Sequence, residues 1–319
     1  MMAVSAMRNH TADAGWQLQI GLESAGYKLC GPGFDCDYQN TIEIVRRLQP
    51  SILIVQDKRE WMGLTAGQHR NARSMQFKNI HWLKERNDFF KMTVLKDAQQ
   101  NPEFHADSAN EMCAHGWITY YHPDIVKHVA PYVRKEHLVR TYHSVNANDV
   151  LEFSSDRKNR CIISGAISKA YPLRSALINP AIRLPKTDRK LHPGYHANGC
   201  CTPDFLKLLS TYKVAICTSS VYGYSLRKII EAVCCGCIVI TDLPECDQLP
   251  IINNELVRVE SSFDAIKRIK ELIPQLIADY DPERQQEIAR RAIEFYDYRS
   301  TCKRLAIDIE NLRREYNAS

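Results

Sequence analysis

Three charged residues at helical spacing, Arg227, Lys228 and Glu231, are the part of this sequence best suited to chemistry. At about 100° per residue they share one side of a helix, within its first two turns. Cations and the N–H groups at a helix N-terminus can bind phosphate, and a carboxylate can accept hydrogen bonds from ribose hydroxyls. The three residues therefore suit a nucleotide. The alternative is an i,i+4 ion pair between Arg227 and Glu231 on a solvated helix.

The surrounding pattern predicts a βαβ unit that positions these residues. Residues 214–217 are an apolar run typical of a buried strand, and a polar turn containing Gly223 follows. Ser225 is predicted as the helix N-cap, Gly236 ends the helix, and residues 237–240 form the second buried strand. Ligands of open α/β sheets bind at the carboxyl edge of such strands. The apolar stripe of the helix comprises Leu226, Ile229, Ile230 and Val233.

The stretch from Lys228 to Ile240 resembles the nucleotide-sugar motif of GT-B glycosyltransferases, whose usual form is K-x-x-E-A-x-A-x-G-x-P-V-I. Glu231 matches the glutamate that holds the donor ribose in that superfamily. Many retaining members carry a second glutamate eight residues upstream, where this chain has Gly223, so the motif leaves retaining and inverting mechanisms open. This combination of motifs is most similar to that of small bacterial and viral glycosyltransferases grouped with spore-maturation proteins.

The resemblance implies two Rossmann-like, doubly wound parallel-sheet α/β domains with C-terminal helices that pack back. Residues 1–148 are expected to bind the acceptor, and residues 149–319 the nucleotide sugar. The implied activity is a metal-independent, hexosyltransferase-type transfer from a nucleotide-sugar donor, UDP- or GDP-linked, which is a substrate rather than a cofactor. The acceptor is left open between a glycan, a small molecule and a DNA base.

The periodicity of the chain gives the same alternation of strands and helices. A polar stretch at residues 146–159 is typical of a linker between two α/β halves. Everything from residue 263 onward is predicted to be helical, and the last helix is expected to bury Leu305, Ile307, Ile309 and Leu312 against the first half. Predicted strands lie at residues 2–7, 27–30, 51–55, 92–95, 116–120, 138–142, 160–163, 214–217, 237–240 and 255–259.

Residues expected to contact the donor lie near the ends of strands in the second half. Ser164 and Gly165 follow the first strand of that half, where GT-B proteins meet the donor phosphates. Arg174 could offset charge on the leaving diphosphate, or it could be a solvated helix arginine. The full predicted set comprises Ser164, Gly165, Arg174, Ser220, Tyr224, Ser225, Arg227, Lys228 and Glu231.

His10 and Asp57 are the candidates for a catalytic base, with Arg174 as the third catalytic candidate. His10 follows the first predicted strand, where inverting relatives often place the base that deprotonates the acceptor hydroxyl. Its alternative is a surface histidine on a turn. Asp57 ends the strand at residues 51–55, and it could be the base or could pair with Lys58 or Arg59.

Composition and charge describe an ordinary globular protein. The 319 residues are 45% hydrophobic and 25% charged, with a net charge of +5 that fits an anionic ligand. No run approaches a membrane span and no signal-peptide region is seen, so a cytoplasmic location is the expectation. The twelve cysteines lie mostly in apolar runs. They are expected to be reduced core residues, and Cys234 and Cys237 are not expected to bind a metal.

Two other functions remain open from the sequence. One is a viral-type glycosyltransferase acting on a DNA base such as a hydroxymethylpyrimidine, which a basic stripe across the first half would favour. The sequence shows scattered cations there instead. The other is a nucleotide-sugar-binding protein of the same fold that performs no transfer.

Overall fold

The computed structural model describes residues 1–5, 13–31, 34–36, 40–55, 80–95, 112–131, 133–190, 202–260, 262 and 264–318. The chain divides into two compact units. The first comprises Met1–Tyr142 together with Tyr298–Ser319, and the second comprises His143–Asp297.

The first unit is built on a parallel sheet of six strands in the order β2-β1-β3-β4-β5-β6. The apolar runs of its central strands are buried, as is typical of parallel sheets that are covered on both faces. The strands are β1 (Met2–Ser5), β2 (Tyr27–Cys30), β3 (Ile52–Val55), β4 (Phe90–Leu95), β5 (Gly116–Thr119) and β6 (Leu138–Arg140).

The helices of the first unit include α1 (Asp13–Ser24), α2 (Thr41–Leu48) and α3 (Pro123–Val129). Helix α2 begins where Asn40 caps it, since the Asn40 side chain accepts a hydrogen bond of 3.0 Å from the Glu43 backbone N–H. Its buried face, which includes Ile44 and Val45, packs into a core shared with Leu53 and Val55 of the sheet.

The second unit has a parallel sheet of five strands in the order β11-β10-β9-β7-β8. Its core joins Ile163, Ile216 and Ile240 of the sheet to Ile269 and Ile273 of a covering helix. The strands are β7 (Lys158–Ser164), β8 (Thr187–Lys190), β9 (Tyr212–Ile216), β10 (Ile238–Thr241) and β11 (Leu256–Arg258), and the helices are α4 (Pro172–Ile178), α5 (Thr202–Leu209), α6 (Arg227–Cys234), α7 (Asp264–Ala278) and α8 (Pro282–Tyr296).

The last helix, α9 (Tyr298–Ala318), belongs to the first unit. It lies close against α1, because a Cβ added at Gly21 would collide with Cys302. It also reaches the sheet, because a Cβ added at Gly116 of β5 would lie 2.8 Å from Leu312 Cδ2. The helix thus packs on the same unit in which the chain begins.

The burial of α9 follows the predicted pattern except at one position. Leu305 and Ile309 are buried as predicted, and Leu312 is half-buried. Ile307 is 55% exposed, so its predicted burial is wrong. Because Ile307 follows Leu305 by two positions, about 200° around the helix, it faces solvent while Leu305 faces the core.

The predicted fold class is confirmed, since both units are parallel-sheet α/β structures with helices. The sequence pattern does not predict strand β8, because its residues Thr-Asp-Arg-Lys include no apolar side chain. Strand β8 forms an edge of its sheet, where a charged strand is tolerated. None of the described helices is long and apolar enough to cross a membrane.

Candidate active site at the carboxyl edge of the second sheet

The order of the second sheet creates a crevice between β7 and β9. Strand β7 lies between β8 and β9, so the chain leaves the ends of β7 and β9 toward opposite edges of the sheet. Ligands of open α/β sheets bind at such a switch point. The loops that follow the two strands are joined there, since the Val221 N–H donates to the Ala170 carbonyl at 2.8 Å.

Two cationic side chains converge on Gly165, directly after β7. Gly165 has φ +139°, and a Cβ added to it would lie 2.5 Å from Lys228 Nζ and 2.9 Å from Arg174 Nη1. Lys228 Nζ also donates to the Ser164 carbonyl at 3.1 Å. Glycine therefore leaves the space in which the two cations meet, and Ser164, Gly165, Arg174 and Lys228 lie together in one cluster.

Arg174 is buried and held in a fixed orientation, with 3% of its surface exposed. Its Nε donates to Thr218 Oγ1 at 3.1 Å, and its Nη2 donates to the Thr218 carbonyl at 3.3 Å. The guanidinium carbon lies 4.1 Å from the centre of the Tyr171 ring, a cation–π contact. The alternative of a solvated helix arginine is therefore wrong.

The cluster has the electrostatics of an anion site. Burial, and then the neighbouring Arg174, lower the pKa of Lys228 to about 8. The Ser164 Oγ is buried and has no hydrogen-bond partner among the described residues. An anion rich in acceptor oxygens would both offset the two cations and satisfy the hydroxyl.

Glu231 and Arg227 form an ion pair one turn apart on α6, with Arg227 Nε 3.0 Å from Glu231 Oε1. The pairing that the sequence offered as an alternative is thus present. The expectation that the pair lies on a solvated face of the helix is wrong, because the Glu231 side chain is only 5% exposed and the Arg227 side chain only 15%. A carboxylate this buried is not typical of a surface ion pair.

The start of α6 differs from the prediction. Ser225 is not the N-cap, because the helix begins at Arg227 and Leu226 occupies the cap position. The Leu226 side chain makes no capping hydrogen bond, so it leaves the first N–H groups of α6 uncapped by that residue. Ser225 itself is buried.

Ser220 and Tyr224 shape the loop between β9 and α6. The Ser220 Oγ accepts hydrogen bonds from the backbone N–H groups of Tyr222 at 3.3 Å and Tyr224 at 3.4 Å. Gly223, between the two tyrosines, has φ +73°, a conformation that favours glycine. The Tyr224 ring is buried, 5.7 Å from the Tyr222 ring.

Two residues that support the site were not predicted from the sequence. Thr218 orients Arg174, and the buried Asp242, directly after β10, accepts a hydrogen bond from the Ser219 N–H. Both residues lie within two positions of the end of a buried strand, which the sequence indicates, but the partner of each one depends on contacts across the sheet.

The two candidate bases, His10 and Asp57, lie outside the described residues. His10 follows β1 and Asp57 follows β3, and these strands are neighbours, with Ser5 paired to Val55. Their assignment as bases stays a prediction.

The cysteines of the C-x-x-C pair are core residues. Cys234 and Cys237 are buried, and burial raises the pKa of both thiols well above the usual range. The Cys237 thiol donates to the Leu209 carbonyl at 3.3 Å. Among the described residues, no group of three or more His, Cys, Asp or Glu side chains is placed to hold a metal ion.

Comparison with protein families gives a match that includes part of the site. Residues 174–311 match the glycosyl transferase-like family, a stretch that begins at Arg174 and contains all of α6. No curated protein matches the sequence of the chain. The narrower resemblance to the spore-maturation group stays a prediction.

Solved structures share the fold over the whole chain. The Anabaena protein Alr3699/HepE, solved with UDP and glucose, has a TM-score of 0.58 at 11% identity, covering 98% of this chain and 100% of that one. Sucrose-phosphate synthase from Thermosynechococcus elongatus has a TM-score of 0.58 at 10% identity, covering 100% and 99%.

An alpha-glucosyltransferase solved with UDP and a 13-mer DNA has a TM-score of 0.56 at 12% identity, covering 97% of this chain and 98% of that one. These low identities establish the fold. The chain thus has the GT-B fold of glycosyltransferases, and its residues 174–311 match the glycosyl transferase-like family.

Proposed function

We propose that this protein is a glycosyltransferase that moves a sugar from a nucleotide-sugar donor, UDP- or GDP-linked, to an acceptor. The observation that carries the proposal is the convergence of Lys228 and Arg174 on Gly165 at the switch point of the second sheet. A diphosphate is the part of a nucleotide sugar that matches two cations and a buried hydroxyl.

In this proposal the donor lies across the end of β7 and the start of α6. Lys228, Arg174, the Ser164 hydroxyl and the N–H groups at the start of α6 bind the diphosphate. Glu231, one turn further along α6, accepts hydrogen bonds from the ribose. The loop that Ser220 and Tyr224 shape lies beside the donor, and Ser225 precedes the helix that binds it.

The same two cations, Lys228 and Arg174, would also assist the breaking of the glycosidic bond. When the glycosidic bond breaks, negative charge develops on the leaving diphosphate, and fixed cations stabilise that charge more than they stabilise the intact donor. Arg174 is well suited because its orientation is set by Thr218 before any ligand arrives. We therefore propose that transfer needs no divalent metal and no further cofactor.

The test is nucleotide release from a panel of UDP- and GDP-sugars, with and without a chelator. The acceptors offered are glycans, small hydroxylated molecules and DNA containing hydroxymethylpyrimidine. We expect acceptor-dependent release from one donor that persists in the chelator. Loss of turnover in the chelator, restored by manganese, would contradict metal independence. Tight nucleotide binding without turnover of any donor would favour a non-transferring protein.

Glu231→Ala supplies the matching binding test. Loss of a charge-assisted hydrogen bond costs ~1.5–3 kcal/mol, so nucleotide affinity should fall by about tenfold or more while the fold survives. Unchanged nucleotide affinity in the folded variant would remove Glu231 from the donor site.

A further inference from the structure

The ion pair between Arg227 and Glu231 is arranged in the order that stabilises a helix least. Arg227 is the first residue of α6, and Glu231 follows four positions later. A cation at the positive N-terminal end opposes the helix dipole, and the reverse order, acid before base, is the favourable one. Helix stability therefore does not account for this pair.

Packing does not account for this ion pair either, because both side chains are largely buried. Glu231 is 5% exposed and Arg227 is 15% exposed, so both charges have lost much of their hydration. The cost of removing two charges from water offsets much of their attraction, and an apolar pair would serve packing as well. A buried carboxylate nevertheless needs a counter-charge to stay ionised.

The two adjacent cations of α6 make different contacts, although the charge of Glu231 acts on both. Lys228 Nζ contacts the Ser164 carbonyl and the space beside Gly165. Arg227 Nε lies against Glu231 Oε1. Arg227 is therefore placed to attract one oxygen of the carboxylate as an ion pair, whereas Lys228 is placed to meet the diphosphate.

We propose that Arg227 is a positioning residue for ribose recognition, a role that rests on the proposed nucleotide-sugar function. It pairs with Oε1 of Glu231, so that the carboxylate meets the ribose hydroxyls in the correct orientation. Arg227 then acts on the sugar of the nucleotide through Glu231, and it does not bind the diphosphate. This replaces the sequence-based expectation that Arg227 contacts the donor directly.

The experiment measures calorimetric binding of UDP and GDP, each with its 2′-deoxy counterpart, and of inorganic pyrophosphate. The wild-type protein should prefer the ribonucleotide by about tenfold, the value of one charge-assisted hydrogen bond. In Arg227→Gln that preference should collapse toward one, and pyrophosphate affinity should stay unchanged. Arg227→Lys, which keeps a cation, should restore part of the preference.

Arg290→Gln is the matched control. Arg290 and Glu294 form an i,i+4 pair in the same order on α8, with an Nη1–Oε2 distance of 3.4 Å, but both side chains are exposed. This variant should bind every ligand as the wild type does.

The outcomes separate this inference from the proposed function. An Arg227→Gln protein that keeps the ribose preference, or that loses pyrophosphate and UDP affinity equally, would overturn the positioning role. A wild-type protein that binds UDP or GDP without ribose preference would also overturn it, and would leave the nucleotide site standing. A wild-type protein that binds no nucleotide would instead contradict the proposed function.

Discussion

Lys228 is the residue whose chemistry depends most on its surroundings. Its pKa of about 8 means that the unliganded protein disfavours the protonated amine, first through burial and then through Arg174. A bound diphosphate supplies the missing negative charge and favours protonation again. Ligand binding and proton uptake at this residue are therefore coupled.

The coupling predicts a pH dependence of nucleotide affinity. Below pH 8 the amine is already protonated, and above pH 8 binding must recruit a proton, so affinity should fall as the pH rises from about 8 to about 10. The diphosphate stays ionised across this range, because its last pKa is about 6. Calorimetry at several pH values, in buffers of different ionisation enthalpy, measures both the affinity and the proton uptake.

Lys228→Arg is the control for this pH dependence, since arginine stays protonated throughout the range. It should retain nucleotide binding with a much flatter profile. An equally steep profile in this variant would assign the titration to another group.

Removing the positive charge of Lys228 should also stabilise the unliganded protein. Lys228→Met deletes a cation that the fold disfavours while keeping a long apolar stem, so the melting temperature of the ligand-free protein should rise at neutral pH. The gain should shrink as the pH rises from about 8 toward 10.5, because the wild-type lysine loses its proton in the folded state first and then in the unfolded state. UDP or GDP should stabilise the wild type and not the variant. A lower melting temperature for the ligand-free variant would contradict the conclusion that the folded protein disfavours the charge of Lys228.

The loop after β7 is the element that brings the two cations together. Its conformation depends on Gly165, whose φ of +139° lies in a region that side chains rarely adopt. A side chain there would also enter the space between Lys228 and Arg174. The loop therefore leaves room for a ligand because residue 165 has no side chain.

Gly165→Ala should abolish nucleotide binding while the protein stays folded. The added methyl would fill the space beside both cations, and the strained backbone should cost about 1–2 kcal/mol of stability. Gly26→Ala is the matched control, because Gly26 has φ +93° but its added Cβ would meet nothing closer than Met2 Cε at 3.8 Å. The two variants should lose a similar amount of melting temperature, and only Gly165→Ala should lose affinity for UDP or GDP. That result would support a ligand site beside Gly165. Wild-type affinity in Gly165→Ala would contradict it.

Elements with a strong local period can be predicted from the sequence, whereas elements defined by distant contacts cannot. The α6 stripe and the strands beside it follow from apolar spacing, and so does the placement of Lys228 and Glu231. The start of α6 differs from its prediction because Ser225 has the right chemistry for a cap, whereas Leu226 takes the cap position. The contact between Arg174 and Thr218 joins residues 44 positions apart, and no local pattern encodes it.

At the scale of the whole molecule, the chain begins and ends in the same unit. Helix α9 buries Leu305 and Ile309 in the first unit, whereas the proposed donor site lies entirely in the second. Damage to α9 should therefore weaken the first unit without altering the donor site.

Ile309→Ala tests this separation. Ile309 is fully buried, so its truncation should cost about 2–5 kcal/mol in the first unit, while the affinity for UDP or GDP stays unchanged. Ile307→Ala, two residues away on the exposed side, should change stability by no more than about 0.5 kcal/mol. Thermal unfolding and calorimetry measure the two effects. A loss of nucleotide affinity in Ile309→Ala that parallels its loss of stability would show that the units do not behave independently.

A crystal structure with UDP or GDP bound is the measurement that tests the central claim most directly. We predict diphosphate oxygens within hydrogen-bonding distance of Lys228 Nζ and Arg174, beside Gly165, with the ribose hydroxyls bound to Glu231. A nucleotide bound elsewhere, with these three side chains untouched by it, would contradict the account.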